Sequence, residues 1–92
     1  MAKNESKIYE EIRKELENKK VILGLERTIK EIKKSNIKKI YLSSNVPNEV
    51  VDDLEYYASL QSIEIIKLEI PNDELGVVCK KPFLVSVLGL LK

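Results

Sequence analysis

The 92-residue chain has no histidine, which removes the commonest general base and the commonest metal ligand of proteins. Its single cysteine, Cys79, has no partner for an internal disulfide and no imidazole to activate it as a nucleophile. Alone it also falls short of the roughly four ligands a zinc site needs, and one unpaired thiol fits a reducing compartment. Glycine is scarce: Gly24, Gly76 and Gly89 stand at neither Walker nor dinucleotide-binding spacing. No apolar run approaches the roughly 18 residues that span a bilayer. The opening Met1-Ala2-Lys3-Asn4-Glu5 lacks the apolar core of a secretory signal. These absences argue against an enzyme, a metalloprotein, a nucleotide-binding fold and a membrane protein. The expectation is a cytoplasmic chain without metal or cofactor.

What is present is charge. Asp, Glu, Lys and Arg make up 34% of the residues, against about 25% in a typical globular protein. The hydrophobic fraction of 43% is ordinary, and the length suits one domain, residues 1–92. The net charge of +1 conceals an asymmetry. Residues 1–40 carry 12 Lys/Arg against 7 Asp/Glu (+5), and residues 41–92 carry 4 against 8 (−4). A basic half beside an acidic half suggests one face suited to phosphates.

Helical and strand patterns alternate along the chain. Ile8, Ile12 and Leu16 recur every fourth residue within Lys7–Asn18, an amphipathic helix. Val21-Ile22-Leu23 reads as a short buried strand closed by Gly24, and a helix follows from about Leu25 to Lys34 with Leu25, Ile29 and Ile32 inward. Ser35-Asn36 ends it, with Lys33 and Lys34 at its negative pole. Ile37–Ser43 is the second strand. Pro47 suits the first turn of a third helix, whose inner stripe is Val50, Val51, Leu54, Tyr57 and Ala58. Ile63–Leu68 is the third strand. A short helix opens at Pro71-Asn72-Asp73-Glu74, with Asn72 or Asp73 as its cap. Phe83–Leu91, almost wholly apolar, reads as a central last strand. The order αβαβαβαβ predicts a three-layer α/β/α sandwich.

Four places have residues that can do chemistry. Glu49, Asp52, Asp53 and Glu55 could hold Mg²⁺ or act as an acid/base pair, or form a solvated face near the positive pole of the third helix. Gly24-Leu25-Glu26-Arg27 leads from a strand into a helix N-terminus, which favours an anion. There Arg27, Lys30 and Lys34 form a basic ridge suited to an RNA backbone. The same ridge can instead serve the helix, through the i, i+4 pairs Glu26–Lys30 and Arg27–Glu31. Asn45, in Asn45-Val46-Pro47-Asn48, either reads a base edge or satisfies the turn before Pro47. In Val78-Cys79-Lys80-Lys81-Pro82-Phe83 the only phenylalanine stands beside two cations. It either stacks on an unpaired base or opens the last strand and is buried.

The stretches Val21-Ile22-Leu23-Gly24, Thr28-Ile29-Lys30, Ser44-Asn45-Val46-Pro47, Asp53-Leu54-Glu55-Tyr56-Tyr57-Ala58-Ser59-Leu60, Glu74-Leu75-Gly76, Lys81-Pro82-Phe83 and Val85-Ser86-Val87 form a pattern in order. Over nearly the whole chain it resembles the archaeal and eukaryotic large-subunit ribosomal proteins of the "L-thirty-e" type. These belong to the "L-seven-Ae" superfamily of kink-turn RNA-binding proteins. The resemblance implies an α/β/α sandwich with a four-stranded mixed sheet, not an enzyme. It also implies a monomer when free, binding kinked, ribosomal RNA beside neighbouring ribosomal proteins. It assigns RNA contacts to Gly24, Leu25, Glu26, Arg27, Lys30, Asn45, Lys81 and Phe83. Gly24 would admit the backbone closely, Arg27 and Lys30 would meet phosphates and purine edges, and Phe83 would pack on an extruded base. The superfamily favours an Asn-Glu pair where this chain has Glu26-Arg27, a departure that points toward the ribosomal branch. The family often has Gly and Arg in the last loop where this chain has Lys80 and Leu84. Two alternatives on the same fold are a non-ribosomal kink-turn ribonucleoprotein module and a protein-interaction adaptor docking through Glu49–Glu55.

Overall fold

The computed structural model describes residues 3–92, with side chains from Lys7 onward. Eight elements alternate: α1 Lys3–Glu17, β1 Val21–Leu23, α2 Leu25–Lys33, β2 Ile37–Leu42, α3 Asn48–Gln61, β3 Glu64–Lys67, α4 Asn72–Val78 and β4 Val87–Leu91. The strands form one sheet in the order β1-β4-β2-β3. The pairs β1–β4 and β4–β2 are antiparallel and β2–β3 is parallel, so the sheet is mixed. β4 and β2, the most buried strands, occupy the middle, where helices cover the sheet on both faces.

The period-2 alternation of each strand sorts its side chains between two cores. Val87 of β4, Ile40 and Leu42 of β2, and Ile22 and Ile65 join Ile32 and Leu54 from α2 and α3. On the opposite face Leu88, Leu90 and Tyr41 pack with Tyr9 and Ile12 of α1 and Leu75 and Val78 of α4. The three layers are therefore α2/α3, sheet and α1/α4. Burying a Leu or Ile side chain is worth about 1.5–3 kcal/mol, and two such cores hold a chain of this size. Tyr41 is fully buried, and its hydroxyl has no hydrogen-bond partner among the described residues. Burial first, then the nearby Glu11 and Glu64, push its pKa up to about 12.

Three expectations need correcting, at the start of the last strand, at Pro47 and at Pro71. The last strand starts at Val87 rather than Phe83, because Val85 N–H bonds the Asn72 carbonyl and draws this stretch off the sheet. The inward stripe of α2 stands: Ile32 is fully buried and half-buried Leu25 and Ile29 pack against the same core, with fully buried Thr28 added to it. Small Thr28 faces Gly89, letting the helix approach β4; a Cβ on Gly89 would come within 3.4 Å of Thr28 Cγ2. Pro47 precedes α3 as its N-cap, one residue before the first turn. Likewise Pro71 holds the N-cap position of α4 without a side-chain cap bond of its own, while Asp73 Oδ1 accepts from Glu74 N–H at 2.8 Å in the first turn.

The scarcity of glycine shows at the helix ends. Each of the four helices is followed by a non-glycine residue in the left-handed conformation: Lys19 (φ 60°), Ser35 (φ 57°), Ser62 (φ 56°) and Lys80 (φ 56°). The bonds are those of Schellman closures. Lys19 and Lys20 N–H donate to Leu16 and Glu15, Ser35 and Asn36 to Ile32 and Glu31, and Lys80 and Lys81 to Val77 and Gly76. Ile63 N–H closes α3 on Ala58. A side chain in this conformation costs roughly 1–2 kcal/mol that glycine avoids.

Candidate nucleic-acid interface

Gly24 joins β1 to α2 with φ 103° and ψ 150°, a backbone geometry that glycine alone adopts readily. Its N–H donates to the Val87 carbonyl at 2.9 Å, fastening the turn to β4. Its carbonyl accepts from both Thr28 N–H (3.2 Å) and Thr28 Oγ1 (2.8 Å). That carbonyl accepts the first intrahelical bond, so the N–H groups of Leu25, Glu26 and Arg27 precede the ladder and carry the positive end of the dipole. No side-chain cap bond meets them among the described residues. A Cβ at Gly24 would meet nothing within 4 Å, so the surface here is open to another molecule.

Beside this turn lies a cleft of about 570 Å³ whose walls include Leu16, Lys19, Leu23, Gly24, Arg27, Lys81, Phe83 and Ser86. Phe83 is 53% exposed, so of its two sequence readings the buried one is excluded. Its placement depends on Gly76: a Cβ there would overlap the Phe83 carbonyl oxygen, so only glycine lets this loop lie on α4. Lys80, where the family often has glycine, adopts the left-handed closure with its own side chain in place.

Asn45 approaches from the other side. Its Oδ1 accepts from Ser43 Oγ (3.0 Å) and Asn72 N–H (2.9 Å), and its Nδ2 donates to Asn72 Oδ1 (3.1 Å). Asn72 Nδ2 in turn donates to Ser86 Oγ at 3.3 Å, and Ser86 lines the cleft. Asn45 thus satisfies an orphan N–H of α4 and ties the loop after β2 to the loop before β4. One Nδ2 hydrogen remains outside this network.

The structure therefore brings Gly24, Arg27, Lys81 and Phe83 to one cleft and couples Asn45 to it through Asn72 and Ser86. Leu25, Glu26 and Lys30 lie on α2 outside the cleft walls, Glu26 and Lys30 exposed and Leu25 half-buried. Neither Glu26–Lys30 nor Arg27–Glu31 closes as an ion pair among the described residues; Glu31 instead meets Lys34 (3.9 Å) and Asn36 Nδ2 (3.1 Å). Sequence reasoning missed Asn72, Ser86 and Lys19. Asn72 had read only as a cap, since nothing local announces a partner 27 residues away. Cys79 is buried at the end of α4, and burial pushes its thiol up to about 11 although Lys81 and Arg13 pull the other way. Among the described residues no cluster of carboxylates or thiols could hold a metal ion, and Glu49, Asp52, Asp53 and Glu55 are all exposed.

A three-layer α/β/α domain that gathers a bare helix N-terminus, cations and an exposed aromatic at one cleft has the form of a nucleic-acid-binding scaffold. Solved structures share the fold. A Giardia lamblia 15.5kD RNA binding protein superposes with a TM-score of 0.87, covering 100% of this chain and 77% of that one at 13% identity. A Bacillus halodurans protein of unknown function gives 0.81, over 88% and 80%, at 16% identity. Closer in sequence are large ribosomal subunit proteins eL30. That of Methanocaldococcus jannaschii is 42% identical over 80 residues, 87% of this chain and 73% of the relative. That of Methanothermobacter thermautotrophicus is 42% identical over 84% and 79%, and that of Sulfolobus acidocaldarius 35% over 88% and 78%. Residues 6–92 match the Ribosomal protein L7Ae/L30e/S12e/Gadd45 family, and the chain belongs to it.

Proposed function

We propose that this chain is a structural, non-catalytic protein of the large ribosomal subunit that grips a kinked internal loop of ribosomal RNA. The observation that carries the reading is the convergence of Gly24, Arg27, Lys81 and exposed Phe83 on one cleft at an uncapped helix N-terminus. An RNA backbone can pass close over Gly24, with phosphates received by the N–H groups of α2 and by Arg27 and Lys81. An extruded base stacks on Phe83. Leu25 and Glu26 flank the approach, and Glu26 accepts from an exocyclic amino group of a base. Asn45 offers its remaining Nδ2 hydrogen to a base or sugar, held in place by Asn72. Lys30 extends the cationic ridge along α2. In this reading the protein is a monomer when free and works in the cytoplasm within the ribosome, among neighbouring ribosomal proteins.

A second reading on the same fold is favoured by one feature of α3. Tyr56 and Leu60 are 63% and 67% exposed beside Glu49, Asp52, Asp53 and Glu55, none of which closes an ion pair among the described residues. That face suits a protein neighbour and supports an adaptor role.

Titration of the protein against a kink-turn RNA and a straight duplex of equal length, at two salt concentrations, tests the proposal. Kink-selective binding that weakens with salt is expected. Equal, weak binding to both RNAs would overturn it and favour the adaptor.

A further inference from the structure

The cleft at Gly24 does not end at the three loops. A second depression of about 190 Å³ adjoins it, lined by Arg13, Leu16, Glu17, Val78, Lys80 and Lys81 among others. Leu16 and Lys81 belong to both walls, so the two form one trough running from α2 across α1 to the end of α4. Its side chains include five cations, Arg13, Lys19, Arg27, Lys80 and Lys81, against the single carboxylate of Glu17.

Two details indicate that these cations are positioned for a ligand. Arg13 donates through Nε to the Val78 carbonyl at 3.3 Å, which fixes the side chain while leaving its outer N–H groups available. It closes no ion pair with Glu17, four residues on, among the described residues. The second detail is the pattern of left-handed closures. The helices of one layer, α2 and α3, end in Ser35 and Ser62, whereas those of the trough layer, α1 and α4, end in Lys19 and Lys80. A lysine just past a helix C-terminus meets the negative pole of the dipole, and here the closures also set two of the trough's cations, Lys19 and Lys80, at fixed points on its walls.

We propose that RNA contact extends beyond the three loops onto the C-terminal ends of α1 and α4, where Arg13, Lys19 and Lys80 take phosphates of the duplex flanking the bend. The proposal rests on the RNA-binding reading above. Phosphate neutralisation fits the chemistry, because the trough offers separate cations along a line and few groups able to read a base.

The test uses wild type and a Lys19→Asn/Lys80→Asn double variant. Asparagine accepts left-handed backbone, so the variant keeps its fold and its melting temperature. Each protein is titrated, over a range of salt, with two kink-turn RNAs. In one the flanking helices stop just past the bend, and the other carries a further turn of duplex. On the longer RNA the variant is expected to lose about two units of log–log salt slope, roughly one per cation removed, and to bind more weakly. On the shorter RNA the two proteins should match. Equal slopes and affinities on the longer RNA would overturn the extended contact while leaving kink recognition standing. A wild type with no preference for the kink over a straight duplex would overturn the underlying reading, and the extension would fall with it.

Discussion

The two helical layers cover the same sheet with cores of similar make-up and yet differ at their surfaces. The α2/α3 layer closes its helices with serine and presents Tyr56 and Leu60 among exposed carboxylates. The α1/α4 layer closes its helices with lysine, leaves a cationic trough at its edge and supports exposed Phe83. The difference teaches that hydrophobic patterning sets the sandwich, while helix ends and loops decide where cations and exposed apolar side chains gather.

The largest effect should come from Gly76→Ala, whose Cβ would strike the Phe83 carbonyl. Overpacking of this kind costs about 3 kcal/mol, measured by urea denaturation, and RNA affinity should fall as the Phe83 loop is displaced. Phe83→Ala should leave stability nearly unchanged, since the ring is 53% exposed, but weaken RNA binding by about 2 kcal/mol, roughly thirtyfold. An early-melting Phe83→Ala protein with normal binding would make that ring structural. Lys80→Gly and Ser35→Gly form a matched pair across the layers. Both should stabilise by about 1 kcal/mol through relief of the left-handed backbone, and only Lys80→Gly should reduce the salt slope of RNA binding. Equal slopes would erase the distinction between the layers.

Smaller effects lie in the α1/α4 core. Cys79 titrates near about 11 in the fold, against its ordinary 9.0, so thiol reagents at neutral pH should react with it about a hundredfold more slowly than with the unfolded chain. The folded chain holds this proton more tightly. Its contribution to stability is therefore complete below pH 9 and declines as pH rises toward 11. Tyr41, shifted from 10.0 to about 12, extends that decline to higher pH. Tyr41→Phe removes a buried hydroxyl that has no partner, and should be neutral or stabilising by up to about 1 kcal/mol.

Where sequence and structure agree, the cause is periodicity. Ile12, Ile32 and Leu54 fall on inward helical faces, and β4 is central because Val87–Leu91 is apolar on both sides. The readings that fail depend on contacts distant in sequence. Phe83–Ser86 has the composition of a strand, but the Asn72 carbonyl and the glycine at 76 hold it in a loop. Thr28 reads as polar and is buried because it faces Gly89 across the layer. Of the site, Gly24, Arg27, Lys81 and Phe83 were legible as cues beside turns. Asn72 and Lys19 were not, since an amide bridging two loops and a lysine in left-handed backbone leave no local signature.

The most direct test of RNA recognition is amide chemical-shift mapping of the isotope-labelled protein as a kink-turn RNA is added. Changes concentrated at Gly24–Arg27, Asn45 and Lys81–Phe83 are predicted, with α3 undisturbed. Changes concentrated on the Glu49–Leu60 face of α3, with Gly24 and Phe83 unmoved, would contradict the account.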